Sequence, residues 1–106
     1  MSGRFMRVIV FFDLPMGTTA ERREYSRFRR MLIKSGFMLM QESVYTKLVL
    51  NPTAAQSVMN VEREQKPQQG LVQMLIVTEN QFSRMEFVLG EIHSDIIDDA
   101  ERLVIL

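Results

Sequence analysis

The chain has 106 residues, 46% of them hydrophobic, with 13 basic and 13 acidic side chains, a formal net charge of zero and no cysteine. That length holds one domain with a modest core and leaves no room for two. The missing cysteine excludes disulfides, thiolate metal sites and cysteine nucleophiles, and the charge balance excludes a global positive field that would gather nucleic acid.

The charges are unevenly spread. Residues 1–50 hold nine Lys/Arg against four Asp/Glu, and residues 51–106 hold four against nine, so one surface is expected to be basic and another acidic. Nine methionines fit irregular core gaps or adaptable contact surfaces. The N-terminal basic residues precede an apolar run as in a leader, but Arg7 interrupts it and Asp13 closes it without a small-residue cleavage site. The expectation is a cytoplasmic protein with no membrane segment.

The first element is Arg7 to Asp13, a β-branched and aromatic run that Pro15 stops, since proline cannot donate to a ladder. Alternation puts Met6, Val8, Val10 and Phe12 on one face and Ile9, Phe11 and Asp13 on the other. Both faces are apolar. One set of helices in so short a chain covers only one of them, which points the second face toward a partner subunit.

Thr18 or Thr19 caps a helix expected to run to about Ser35 and to stop at Gly36. At 100° per residue, Tyr25, Phe28 and Leu32 share one arc and read as core rather than as a base-stacking platform. Arg23, Arg27, Arg30 and Lys34 share the opposite arc. Four cations with no acid among them on that arc make a candidate phosphate-binding stripe.

Phe37 to Leu50 reads as two strands joined by a turn or bulge at Gln41-Glu42-Ser43. Asn51-Pro52-Thr53 breaks the strand and starts a second helix, whose apolar side is Ala54, Ala55, Val58, Met59 and Val61 and which ends before Pro67. Leu71 to Thr78 is a second strongly apolar strand that belongs beside the first. The order strand, helix, strand, strand, helix, strand is the split βαβ pattern of ferredoxin-like α+β domains. A short helical turn is expected over Glu79 to Arg84, a fifth strand over Met85 to Leu89, and an acidic loop from 91 to 101. Arg102 to Leu106 is an apolar strand that needs an edge to pair with, such as a partner's. The whole of residues 1–106 is thus expected to be one domain, with 91–106 a C-terminal extension pairing across a dimer.

Little other chemistry stands out. His93 has no spaced ligand partner, Ser43 has no identifiable base and reads as a turn residue, and the glycines form no phosphate-cradling loop. Asp13 taken by residue type alone reads as a strand-end acid bonding turn amides before Pro15 rather than as a metal ligand.

Phe12-Asp13-Leu14 after an apolar first strand, an Arg-rich helix, Gly36-Phe37, Gln41-Glu42-Ser43-Val44-Tyr45 and an apolar fourth strand together resemble CRISPR-associated protein two. That family supplies the small dimeric subunit of the bacterial spacer-acquisition machinery, and the Phe-Phe-Asp-Leu-Pro form is most similar to its type II versions. The resemblance implies a ferredoxin-like homodimer with a C-terminal strand added across the interface. It implies partners as well: the integrase subunit, CRISPR-associated protein one, and prespacer duplex DNA. It further implies that Asp13 is a catalytic Mg²⁺ ligand, one from each protomer. Two functions follow from it: a scaffold bridging integrase dimers with DNA over the Arg23, Arg27, Arg30, Lys34 stripes, or a metal-dependent endonuclease for RNA or DNA. A toxin-like ribonuclease of the virulence-associated protein D type shares the expected fold and stands as a further alternative.

Overall fold

The computed structural model describes residues 5–91; the expected loop role of His93 and the expected strand at Arg102 to Leu106 lie outside them. The elements are β1 (Met6–Asp13), α1 (Thr19–Lys34), β2 (Met38–Gln41), β3 (Val44–Val49), α2 (Pro52–Glu64), β4 (Leu71–Thr78) and α3 (Glu79–Ser83). They form one four-stranded sheet in the order β2-β3-β1-β4, with every neighbouring pair antiparallel. This α+β arrangement is compatible with the ferredoxin-like pattern. Among the described residues, no helix is long and apolar enough to cross a membrane.

Local sequence accounts for the helix limits. Thr18 caps α1 by accepting from the Glu21 backbone N–H while the Glu21 carboxylate accepts from the Thr18 N–H, a reciprocal capping box. Asn51 caps α2 by accepting from the Ala54 N–H, with Pro52 in the first turn where its missing donor costs nothing. Thr78 both ends β4 and caps α3, again with a capping box through Gln81.

The helices cover one face of the sheet. Val8, Val10 and Phe12 of β1, Tyr45 and Val49 of β3, Phe28 and Leu32 of α1 and Ala55 of α2 form the buried cluster. Phe12 is its hub, edge-on to Tyr25 and Phe28 at centroid distances of 5.8 and 5.3 Å and stacked on Tyr45 at 5.7 Å. Such pairs add about 0.5–1.5 kcal/mol each beyond the area they bury. Tyr25 and Phe28 are therefore core residues, as their spacing implies.

The opposite face carries Arg7, Ile9, Phe11 and Asp13 of β1, paired with Leu48, Thr46 and Val44 of β3 and with Val77, Leu75, Gln73 and Leu71 of β4. Leu75 is 49% exposed and Leu71 53%, and Met38 and Leu48 are exposed beside them. Only α3 leans over one end of this face. There Arg7 makes a two-point ion pair with Glu79 at 2.8 and 2.7 Å, and its guanidinium lies 4.3 Å from the centroid of the Phe82 ring.

One expectation is not met within a single chain, and another needs correcting. Met85 to Leu89 form no strand in the single chain, and none of the four strands pairs with them. Their composition favours a strand, but a strand exists only against a ladder partner, and this segment instead leaves Phe87, Val88 and Leu89 exposed. On α2, Val61 points outward and Glu62 takes the inward position, seven residues or two turns on from Ala55. Glu62 is 2% exposed, and neither carboxylate oxygen has a hydrogen-bond partner among the described residues.

Candidate active site and nucleic-acid interface

Asp13 is the last residue of β1 and is exposed, whereas Phe12 before it and Leu14 after it are buried. Strand alternation puts its carboxylate on the open face, opposite Leu71 of β4. Among the described residues Asp13 takes part in neither of the two ion pairs, so its oxygens stay available to an outside ligand.

The tip is bounded on both sides by left-handed backbone. On the β3 side the two-residue turn Glu42–Ser43 closes the β2–β3 hairpin, with Ser43 at φ 64 and a register shift between Leu39 and Gln41. The Ser43 carbonyl accepts from the Phe12 N–H at 3.1 Å, so Ser43 contributes its backbone to the tip, in keeping with its reading as a turn residue. On the β4 side Gly70 has φ 101, and a Cβ there would lie 2.7 Å from the Asp13 carbonyl oxygen. Nothing in the sequence pattern singles out Gly70; its signal is the loop Gln68-Gln69-Gly70 entering a strand that pairs with β1.

A cavity of about 420 Å³ opens beside the tip, between the start of α1 and the loop after α2, with Leu14, Pro15, Tyr25, Pro67 and Gln69 among its walls. Its two carboxylates are already engaged. Glu21 serves the α1 cap, and Glu24 bonds Arg27 through both oxygens at 3.1 and 2.7 Å.

That last pair corrects the expected stripe. Arg23, Arg30 and Lys34 are exposed on α1, but Arg27 is half-buried, bound to Glu24 and donating to the Gln65 carbonyl at 2.9 Å. The Arg27 hydrogen bonds hold the Glu24 carboxyl below its ordinary range, as an ion pair does. Glu24 is three residues from Arg27, within reach of one helical turn, and counting charges along the stripe alone overlooks it. Arg22 and Arg29 add two more exposed guanidinium groups to the helix. Arg22 is partly occupied, donating to the Met16 carbonyl at 3.1 Å. Arg29 stands close enough to the Tyr45 hydroxyl to oppose the rise that burial imposes on it.

Among the described residues there is no group of three or more His, Cys, Asp or Glu able to hold a metal ion.

Residues 6–85 match the family model described as CRISPR associated protein Cas2. The chain is similar to the CRISPR-associated endoribonuclease Cas2 of Treponema denticola, with 52% identity over 95% of this chain and 100% of that protein. The proteins of the same name from Ligilactobacillus salivarius and Streptococcus mutans serotype c are 41% and 42% identical over 95% of this chain, covering 100% and 93% of their own lengths.

Proposed function

The chain belongs to the family of CRISPR-associated protein Cas2, and from that premise we propose that it works as a cytoplasmic homodimer in spacer acquisition. In this role it binds prespacer duplex DNA and bridges dimers of the integrase subunit, CRISPR-associated protein one. The observation that carries the reading is the open sheet face, on which this chain's own helices leave Met38, Leu48, Leu71 and Leu75 in water. A face of that kind on a small α+β layer calls for a second layer, and a second copy is the simplest source of one. The same dimer would offer Met85 to Leu89 the ladder they lack, making the fifth strand, and would let 91–106 act as an extension of one domain.

The test is Leu75→Glu, which sets a charge in the open face of each copy at a position too exposed to matter to the monomer's core. The substituted protein should sediment as a folded monomer at micromolar concentration and fail to assemble with the integrase subunit on a duplex. A dimer that still assembles normally would overturn the reading.

Duplex binding is assigned to the exposed cations of α1. Symmetry doubles every substitution, so Arg23→Ala with Arg30→Ala removes about four phosphate contacts per dimer, and the slope of log affinity against log salt should flatten by roughly 3–4. Arg27→Ala alone should change the slope by less than about 1, because its charge is already spent on Glu24. Equal effects from Arg27 and Arg23 in salt titrations would return Arg27 to the stripe.

A second reading is favoured by the name the relatives carry and by Asp13: Mg²⁺-dependent cleavage of RNA. An exposed carboxylate with unengaged oxygens fits a hard cation that keeps several waters, provided a second copy supplies another Asp13. Bound there, Mg²⁺ supplies charge neutralisation at a phosphodiester and an acidified water. Asp13 of each copy would hold the ion, and the α1 cations would hold the flanking phosphates.

A further inference from the structure

We propose that Arg7 is a positioning residue for dimerisation: through Glu79 and Phe82 it holds α3 down on the end of the open face, so that the apolar segment Met85 to Leu89 starts from a fixed point when a second copy arrives. The proposal rests on the homodimer reading and adds to it the device that readies one chain for the other.

α3 has little to keep it in place by itself. It has five residues, none of them buried, and isolated helices shorter than about 12–15 residues are marginal in water. The capping box at Thr78 and Gln81 organises its first turn without tying it to another element. Its polar ties to the sheet come from β1 and from the residue before that strand. The Glu79 N–H donates to the Phe5 carbonyl at 2.9 Å, and the Arg7 guanidinium donates to both Glu79 carboxylate oxygens at 2.8 and 2.7 Å. The same guanidinium lies 4.3 Å from the centroid of the Phe82 ring, so one side chain grips α3 at Glu79 and again one turn on. Arg7 is 16% exposed and Glu79 29%, which shields the pair from much of the water that leaves exposed pairs nearly worthless.

The link to the second copy is the chain that follows. The Arg84 N–H donates to the Gln81 carbonyl and the Met85 N–H to the Phe82 carbonyl, each at 3.1 Å, so the turn that ends α3 runs directly into the apolar segment. There Val88 and Leu89 are each 93% exposed, and none of the four strands pairs with them. With α3 loose, association has to order this stretch as the copies meet, at about tenfold in affinity for each residue whose backbone is fixed. With Arg7 in place, the start of the stretch is ordered beforehand. The position of Arg7 supports this: it stands on the open face between Leu48 of β3 and Val77 of β4, where an unpaired charge would oppose a second copy, and its charge is met within its own chain.

The experiment uses the full chain, with dimer dissociation constants taken from fluorescence-detected sedimentation between nanomolar and micromolar concentration. Arg7→Ala should weaken the dimer about a hundredfold, about tenfold from each copy, since symmetry repeats the loss. Arg7→Lys should recover little of it, because an ammonium keeps the charge but has neither the fork that fits Glu79 nor the plane that stacks on Phe82. Glu79→Gln breaks the same bond from the other side, and adding it to Arg7→Ala should weaken the dimer no further, because the two residues act as one unit.

Urea unfolding at concentrations where each variant is monomeric separates the roles, since a purely structural tie lowers stability and leaves the dissociation constant alone. Should Arg7→Ala fail to fold, Arg7→Lys and Glu79→Gln decide by the same measurement. A wild-type dissociation constant in the folded Arg7 and Glu79 variants, with Leu75→Glu still monomeric, overturns the role of Arg7 alone. Additive losses in the double variant place Arg7 against the second copy directly and overturn it as well. A wild-type chain that sediments as a monomer throughout overturns the dimer reading, and the role of Arg7 falls with it.

Discussion

Asp13→Ala should bring RNA cleavage down to the uncatalysed background while the protein still folds, dimerises and supports spacer acquisition in cells. The loss is expected to be complete because a dimer built on the open face carries two copies of the residue, and one substitution removes both carboxylates from the site. The fold should be untouched. Asp13 is exposed, enters no ion pair among the described residues and keeps its neighbours buried without its own side chain, so unfolding free energy should change by less than about 0.5 kcal/mol. Duplex binding lies on α1, and removing a negative charge from a protein that approaches phosphates can only reduce repulsion. Acquisition in cells decides between the two readings. If it is lost while the purified variant assembles normally with the integrase subunit on DNA, Asp13 chemistry is required and the scaffold reading is wrong.

Glu62→Gln should stabilise the protein at pH 8 by up to about 3 kcal/mol and flatten its dependence of stability on pH. Burial pushes the Glu62 carboxyl up to about 7, against an ordinary value of 4.5, and the Lys47 ammonium only partly opposes the rise. Between those two values the folded chain keeps a proton that the unfolded chain releases, so stability falls as pH rises through this window and is level above it. A shift of that size corresponds to about 3 kcal/mol at most. Lys47 offers limited relief, since its Nζ already donates to the Ser35 carbonyl at 2.6 Å at the end of α1. Gln fills the same volume without a charge to desolvate, although its amide still lacks a partner, so the gain at pH 5 should be close to zero. Urea midpoints measured from pH 5 to 8 check this, and a variant with the wild-type slope would mean that Glu62 does not titrate across this window.

Much of the candidate site is legible in the order of the amino acids. The two apolar faces of β1, the proline that stops it and the acid at its tip follow from alternation and from proline's missing donor, and they place Asp13 where the fold has it. The capping box at Thr18 and Glu21 is likewise a local pattern of four residues. Glu62 is within reach too, because it falls on the Ala55, Val58, Met59 arc at helical spacing. Polarity hides it: a carboxylate faces water on average, and α2 breaks that average.

What the sequence alone determined is therefore what depends on short-range backbone physics. That covers the order and period of strands and helices, where caps and proline end them, and the presence of one candidate carboxylate with a cationic helix after it. The tertiary structure decided everything that depends on which segments meet. Only it showed that Glu24 and the Gln65 carbonyl occupy Arg27, that Arg7 reaches across to Glu79 and Phe82, and that the Ser43 carbonyl takes the Phe12 N–H while Gly70 packs against the Asp13–Leu14 peptide. It also withheld a strand from Met85 to Leu89, whose composition asks for one. Composition states a preference for extended backbone, but the hydrogen bonds that make a strand belong to a pair of segments, and within the described residues this one has no second member.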